Sequence, residues 1–200
     1  MIRAISLFAG AGGMDVGFKQ AGFHVVWANE WDKHASTTYM ANNGENVLRV
    51  GDINGFLDEL PSPGKIDCVF GGPPCQGFSV AGKMDAGDPR SRLVFSFLDV
   101  VARTRPKAFV LENVKALATL SKFSAVREEM IRRIEGAGYQ GRIFVLNSKD
   151  FGVPQSRERM FMIGFRKALN VQFHEGYFSR FRRKAPSLRD VFRDIGRAGT

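Results

Sequence analysis

Cys75 stands directly behind Pro73 and Pro74 in the stretch GGPPCQGFS, residues 71–79. Two consecutive prolines fix φ and remove backbone donors, so the thiol is presented on a loop that cannot relax, as a preorganised nucleophile requires. A second candidate is Glu112 in the stretch ENV, residues 112–114. If both stretches follow parallel neighbouring strands, Glu112 is brought beside Cys75. A thiolate paired with a carboxylic acid, with no histidine at hand, suits addition to an electron-poor ring better than acyl transfer. A lone cysteine is more often structural than catalytic, so the weight falls on its pairing with Glu112. The other cysteine, Cys68 in DCVF, reads as an inert core thiol.

Further groups sit where a ligand would need them. The stretch FAGAGGMD, residues 8–15, supplies Gly10, Gly12 and Gly13, which permit positive φ and a close backbone approach, and a helix N-terminus after them favours an anion. It fits a dinucleotide loop poorly: G-x-G-x-x-G would need glycine where Asp15 stands, and no G-K-[ST] follows for a P-loop. Alone, these glycines read equally as a structural tight turn. About 20 residues on, Glu30 in NEWD can accept both hydroxyls of a ribose, and Trp31 offers an aromatic face. Taken singly, Glu30 is also a helix-capping acid and Trp31 a core residue. In GDI, Asp52 can accept from an exocyclic amine while Ile53 packs on a ring. A nucleoside-containing cofactor accounts for these positions together.

The elements that must hold these groups alternate between strand and helix in the manner of an α/β domain. Strands are predicted over AISLF (4–8), HVVWANE (24–30), near VLRVGDI, in IDCVFGG and in KAFVLENV, with RIFVLNS and RMFMIGF as a final pair. Helices are predicted over GMDVGFKQAG, around KHASTTYMANN, over SRLVFSFLDVVARTR and over FSAVREEMIRRIEGAG. In such a sheet, ligands gather beyond the carboxyl ends of the strands, where all the loops above lie. At 200 residues and 44% hydrophobic, with 18 Phe, the chain can bury a core as one domain. Two cysteines and three scattered histidines, His24, His34 and His174, build neither a disulfide framework nor a metal cluster. No signal or membrane-spanning stretch is read, which places the chain in a reducing cytoplasm. The net charge is +9, and from Arg166 onward nine Lys/Arg face three Asp/Glu, so most of the excess lies in this tail. A basic tail is either a solvated surface or a neighbour of a phosphate backbone.

FAGAGG, NEWD, GDI, PPCQGFS, ENV and QSRER together resemble, in order and spacing, the C5-cytosine DNA methyltransferase family, and the similarity runs from about Ile5 to Phe165. The resemblance implies a Rossmann-like S-adenosylmethionine-dependent fold, mostly parallel, with a final antiparallel strand pair. It implies that Phe8, Gly10, Gly12, Gly13, Glu30, Trp31, Asp52, Ile53, Pro74 and Leu93 hold S-adenosylmethionine, whose product is S-adenosylhomocysteine. Cys75 is then the nucleophile toward C6 of a cytosine flipped out of double-stranded DNA, and Glu112 the acid at N3. Arg157 and Arg159 hold the base and brace the loop, although by themselves they read as a salt-bridged surface strand. Pro74, Ser79, Asn113 and Val114 are the remaining substrate contacts it implies. No metal is required.

The family also implies, after Phe165, a variable target-recognition region and a last motif with a glycine-asparagine pair, and neither is read in FSRFRRKAPSLRDVFRDIG. The expected organisation is a catalytic domain over 1–165 and a basic segment over 166–200 leading toward recognition. The chain is then a fragment, or one subunit of a split enzyme whose second polypeptide carries the rest. The expected setting is a bacterial restriction-modification system, in the cytoplasm beside the nucleoid. A tRNA cytosine-C5 methyltransferase and a non-catalytic cofactor- or nucleic-acid-binding partner are the competing readings.

Overall fold

In the computed structural model, which describes residues 1–74 and 92–193, seven strands form one sheet in the order β3-β2-β1-β4-β5-β7-β6. The first five strands in chain order, β1 (Ile2–Leu7), β2 (Phe23–Glu30), β3 (Leu48–Val50), β4 (Cys68–Gly71) and β5 (Ala108–Val114), run parallel. β7 (Glu158–Arg166) lies antiparallel between β5 and β6 (Tyr139–Asn147). The expected α/β fold and its antiparallel pair are both present.

Parallel strands covered on both faces are largely apolar, and β1 has Ala4, Ile5 and Leu7 fully buried, with the polar Ser6 buried among them. Its Ile5 and Leu7 join one core cluster with Val69, Phe97, Phe109, Leu111 and Met162, while Ala4 joins a second with Val25, Tyr39 and Phe70. The first cluster is roofed by α3 (Leu93–Thr104) and α5 (Ser124–Gly136), the second by α1 (Gly13–Gln20) and α2 (Lys33–Asn43). α2 starts at Asp32, whose side chain accepts from the Ala35 N–H at 2.7 Å. α1 and α5 are each followed by a glycine at φ +87°, Gly22 and Gly138, as the sequence expected of helices closed by glycine.

Two details were not legible beforehand. A five-residue helix, α4 (Lys115–Thr119), follows β5 and is too short to show a helical period. The stretch after Arg166 contains only very short helices, such as Gly176–Ser179 and Leu188–Val191, yet it is not detached from the domain. Phe173 packs on Phe144 of β6 and Phe165 of β7, with centroids at 5.5 and 5.6 Å, and Phe178 packs on Phe144 at 5.1 Å. No helix among the described residues is long and apolar enough to cross a membrane.

α1 is pinned from below by a buried network. The Asp15 carboxylate, fully buried, accepts from the Ser6 hydroxyl of β1 at 2.8 Å and from the Tyr39 hydroxyl of α2 at 2.7 Å. Burial first, and then the neighbouring Asp15, hold the Tyr39 hydroxyl protonated far above its ordinary range. Tyr39→Phe leaves one oxygen of a buried carboxylate without its donor, so it should destabilise the chain by about 1–3 kcal/mol in chemical denaturation. A loss within error would mean that the network contributes nothing.

Candidate active site

The loops that follow the parallel strands open on one edge because the strands end level. Leu7 pairs with Gly71, and Gly71 with Leu111, so the glycine loop and the double-proline stretch leave the sheet beside Glu112, which is still held within β5. On the other flank Leu7 pairs with Asn29 and Glu30 with Val50, which aligns the NEWD and GDI loops in the same row. With neighbouring strands roughly 4.8 Å apart, the row from Val50 to Leu111 spans about 19 Å.

At the centre of the row, the first loop is wound tightly. Phe8 sits at φ +53°, Gly10 at +56° and Gly12 at +91°. A left-handed conformation at a phenylalanine is strained and persists only where the surroundings over-determine it. Gly12 is required by packing: a Cβ there would lie 2.9 Å from Asn43 Nδ2 and 3.3 Å from Tyr39. At Gly10 and Gly13 no atom lies within 4 Å of where a Cβ would stand, so here glycine leaves open space beside the loop.

Glu30 ties this loop to the next one. Its Oε2 accepts from the Gly10 N–H at 2.7 Å, and its Oε1 from the Trp31 and Asp32 N–H groups at 2.8 and 2.7 Å. Three of the roughly four lone-pair sites of the carboxylate are thus filled, and the one left on Oε2 is open to a ribose hydroxyl. Trp31 is 59% exposed, which removes its alternative reading as a core side chain. Asp52 caps a turn through the Asn54 N–H at 3.0 Å. Ile53, 1% exposed, and Leu93, 8% exposed at the start of α3, belong to the core cluster on that face. An open glycine loop, an anchored carboxylate and an exposed indole are the donor set a nucleoside cofactor needs, and these residues fit one.

Toward the other end of the row lies a pocket of about 360 Å³, in which apolar Met14, Leu146, Phe151 and Phe161 surround Glu112 and Arg159. β5 alternates strictly, so Phe109, Leu111 and Asn113 turn inward to full burial while Glu112 turns to this face. Arg159 Nε lies 3.1 Å from Glu112 Oε1 and Arg157 approaches the same oxygen at 3.8 Å. β5 and β7 are antiparallel, so Val114 pairs with Arg159, and the arginine reaches back across the ladder to Glu112. Burial among apolar side chains raises the Glu112 carboxyl above its ordinary value, and Arg159 and Arg157 offset only part of that rise. The result is a carboxylic acid that keeps its proton more readily than an exposed one. Such a group can donate to a ring nitrogen.

The double-proline stretch is strapped to this carboxyl. Asn113, 1% exposed, donates from Nδ2 to the Pro73 carbonyl at 3.1 Å and accepts the Val114 N–H at 2.9 Å. A Cβ on Gly72 would stand 3.1 Å from Glu112 Oε2, so glycine at 72 lets the backbone pass the carboxyl. Pro74 is exposed beyond it, and Val114 is half-buried. Cys75 and Ser79 lie outside the described residues. Cys68 is buried at 3% exposure, and burial, then Asp67, pushes its thiol up to about 12, so it is unsuited to attack. Among the described residues, no group of three or more His, Cys, Asp or Glu could hold a metal ion.

Sequence reasoning missed the apolar lining from Met14, Phe151 and Phe161 and the Asp15–Ser6–Tyr39 clamp. GGMD did show a carboxylate in a first helical turn, but nothing local marked it as buried, because its partners lie 9 and 24 residues away.

A family model described as C-5 cytosine-specific DNA methylase matches residues 2–198. The Type II methyltransferase M.FnuDI of Fusobacterium nucleatum is 39% identical over 196 residues, 97% of this chain and 56% of that protein. M.AquIA of Picosynechococcus sp. is 43% identical over 187 residues, 86% of this chain and 75% of that protein. Among solved structures, a prophage-encoded E. coli protein described as a DNA modification methyltransferase superposes with a TM-score of 0.80 at 29% identity, over 96% of this chain and 54% of that one. The chain thus spans about half the length of M.FnuDI and of the E. coli protein. Because the family match runs through nearly all of its residues, the chain belongs to the C-5 cytosine-specific DNA methylase family.

Proposed function

We propose that this chain carries the cofactor-binding and catalytic part of a DNA cytosine-C5 methyltransferase. The observation that carries the reading is the raised Glu112 acid, braced by Arg159 in an apolar pocket and strapped through Asn113 to the turn that leads to Cys75. S-adenosylmethionine, held by Glu30, Trp31, Asp52 and the backbone of residues 10–13, supplies an electrophilic methyl group. The Cys75 thiolate adds to C6 of an extruded cytosine in double-stranded DNA, and Glu112 donates to N3, where the electron pair displaced from the ring accumulates. C5 thereby becomes nucleophilic and bonds the methyl, whose bond to sulfur breaks to leave S-adenosylhomocysteine. Loss of the C5 proton to a base expels Cys75 and restores the aromatic ring. Arg157 and Arg159 hold Glu112 and the base edge. The family description and the E. coli protein described as a DNA modification methyltransferase favour DNA over tRNA as substrate, and a bacterial restriction-modification setting in the cytoplasm, beside the nucleoid, is part of the proposal. A second polypeptide that supplies target recognition, and a catalytic domain over 1–165 followed by a basic segment, belong to the same proposal.

Three experiments test it. S-adenosylhomocysteine should bind in titration calorimetry, and Glu30→Ala should weaken it by about 1–3 kcal/mol through lost charge-assisted bonds to the ribose and to the glycine loop. Preference for NAD would exclude the reading. In the presence of S-adenosylmethionine, duplex DNA carrying 5-fluorocytosine should form a stable covalent adduct, assayed with and without a polypeptide bearing a recognition region, because once C5 is methylated the fluorine cannot leave as a proton does. Cys75→Ser should abolish the adduct and Cys68→Ser leave it intact; the reverse pattern would refute the nucleophile. The raised acid also sets a sign in pH. Its protonated form falls away as pH rises through its folded value, so this limb of the adduct-formation rate should decline with rising pH. Glu112→Gln keeps an N–H donor but cannot titrate. It should erase that limb and slow the reaction by roughly 100- to 10,000-fold. A variant with the wild-type rate and pH profile would remove Glu112 from the mechanism.

A further inference from the structure

The turn that closes the base pocket has a second side. Ser148 and Phe151 line the pocket around Glu112, whereas Lys149 and Asp150, between them in sequence, face an open hollow of about 570 Å³ completed by Arg182, Arg183 and Lys184. Four cations and one carboxylate therefore share a concavity separated from the base pocket by a single turn. Lys149, Arg183 and Lys184 have no ion-pair partner among the described residues, and Arg182 has only a long contact of 3.9 Å to Glu175. Four cations against one carboxylate leave the hollow net positive, which favours an anion there.

One of the cations is held in place before any ligand arrives. The Arg183 N–H donates to the Asp150 carbonyl at 3.0 Å, and Arg183 forms an isolated parallel bridge with Phe151. Its side-chain stem lies flat over Gly152, with Cγ and Cδ each 3.1 Å from where a Cβ on that glycine would stand, and Gly152 itself sits at φ +87°. A side chain at 152 would therefore both strain the turn and push Arg183 away. The packing of Phe173 and Phe178 onto β6 and β7 fixes the chain just before these arginines. A guanidinium so placed can offer its planar fork to phosphate oxygens with little entropy left to lose.

We propose that Lys149, Arg183 and Lys184 form a phosphate-binding site for duplex DNA, taking the backbone phosphate next to the nucleotide whose base enters the Glu112 pocket. This rests on the methyltransferase reading above, because it is the extruded base that puts a phosphate at this turn. Contacts of this kind position a strand without reading its sequence.

Fluorescence anisotropy with a short labelled duplex, repeated over a series of salt concentrations, tests the site on the full chain. Arg183→Gln and Lys149→Gln should each weaken binding by about 3- to 10-fold at low salt and flatten the slope of log affinity against log salt by about one unit. Lys65→Gln, which removes the same charge from the loop before β4 at the opposite edge of the sheet, should leave the slope unchanged. S-adenosylhomocysteine binding, measured on the same preparations, should be equal in all four proteins. Slopes that do not distinguish Arg183→Gln and Lys149→Gln from Lys65→Gln would overturn the phosphate site while cofactor binding leaves the methyltransferase reading standing. Failure of the wild-type chain to bind S-adenosylhomocysteine would instead strike that reading and the phosphate assignment with it. Tighter binding of a single-stranded RNA of the same length, with the same dependence on Arg183, would overturn the assignment to duplex DNA.

Discussion

The level ending of the parallel strands is the constraint on which the site depends. Leu7, Gly71 and Leu111 share one register line, so the glycine loop, the double-proline stretch and the end of β5, distant in sequence, meet as neighbours at a single edge. A slip of one residue in β5 would turn Glu112 into the core and Leu111 into the pocket, because side chains alternate between faces. The core guards against this slip: Phe109 and Leu111 are fully buried in one cluster, and exchanging them for Glu112 would bury a charge among apolar side chains. Hydrophobic burial thus sets the position of the Glu112 carboxyl, although the carboxyl takes no part in it.

Strain at the edge is balanced from beneath. The first loop holds Phe8 and two glycines at positive φ, conformations an unsupported loop would leave. Glu30 grips the loop from the side through the Gly10 N–H, and Asp15 grips the helix it opens into through Ser6 and Tyr39. Both anchors are carboxylates satisfied by neutral donors. Asn29 repeats the pattern one strand over, bonding the Arg49 and Gly51 carbonyls at 3.0 and 2.9 Å and so fixing the loop of Asp52. A polar group held on two sides costs little when buried and tolerates little displacement.

Charge is distributed along the edge with the same economy. Glu112 lies among apolar side chains that favour its neutral form, beside an arginine that favours its ionised form, and burial is the larger influence. Beyond it the surface turns basic at Lys149 and Arg182 to Lys184, on a chain segment anchored by aromatic packing. A weakly acidic group inside and fixed cations outside match a nucleotide, whose base is neutral and whose backbone is not.

The sequence by itself determined the parts with local chemistry. Apolar runs marked the strands and glycines closed the helices. Double prolines after one strand and a carboxylate at the end of the next marked the edge proposed for the site, because residue type and short spacing are enough to specify strand, cap and turn. Tertiary structure alone decided the rest. Asn113 showed no sign of being a strap, since its acceptor, the Pro73 carbonyl, lies 40 residues away. Asp15 looked like any first-turn acid until the sheet brought Ser6 beneath it. The basic segment leading toward recognition gave no sign of an anchor, because the phenylalanines that hold it down at 173 and 178 have their partners on β6 and β7. In each case the deciding contact joins residues that only the packing of helices on the sheet makes neighbours, and no local pattern carries that information.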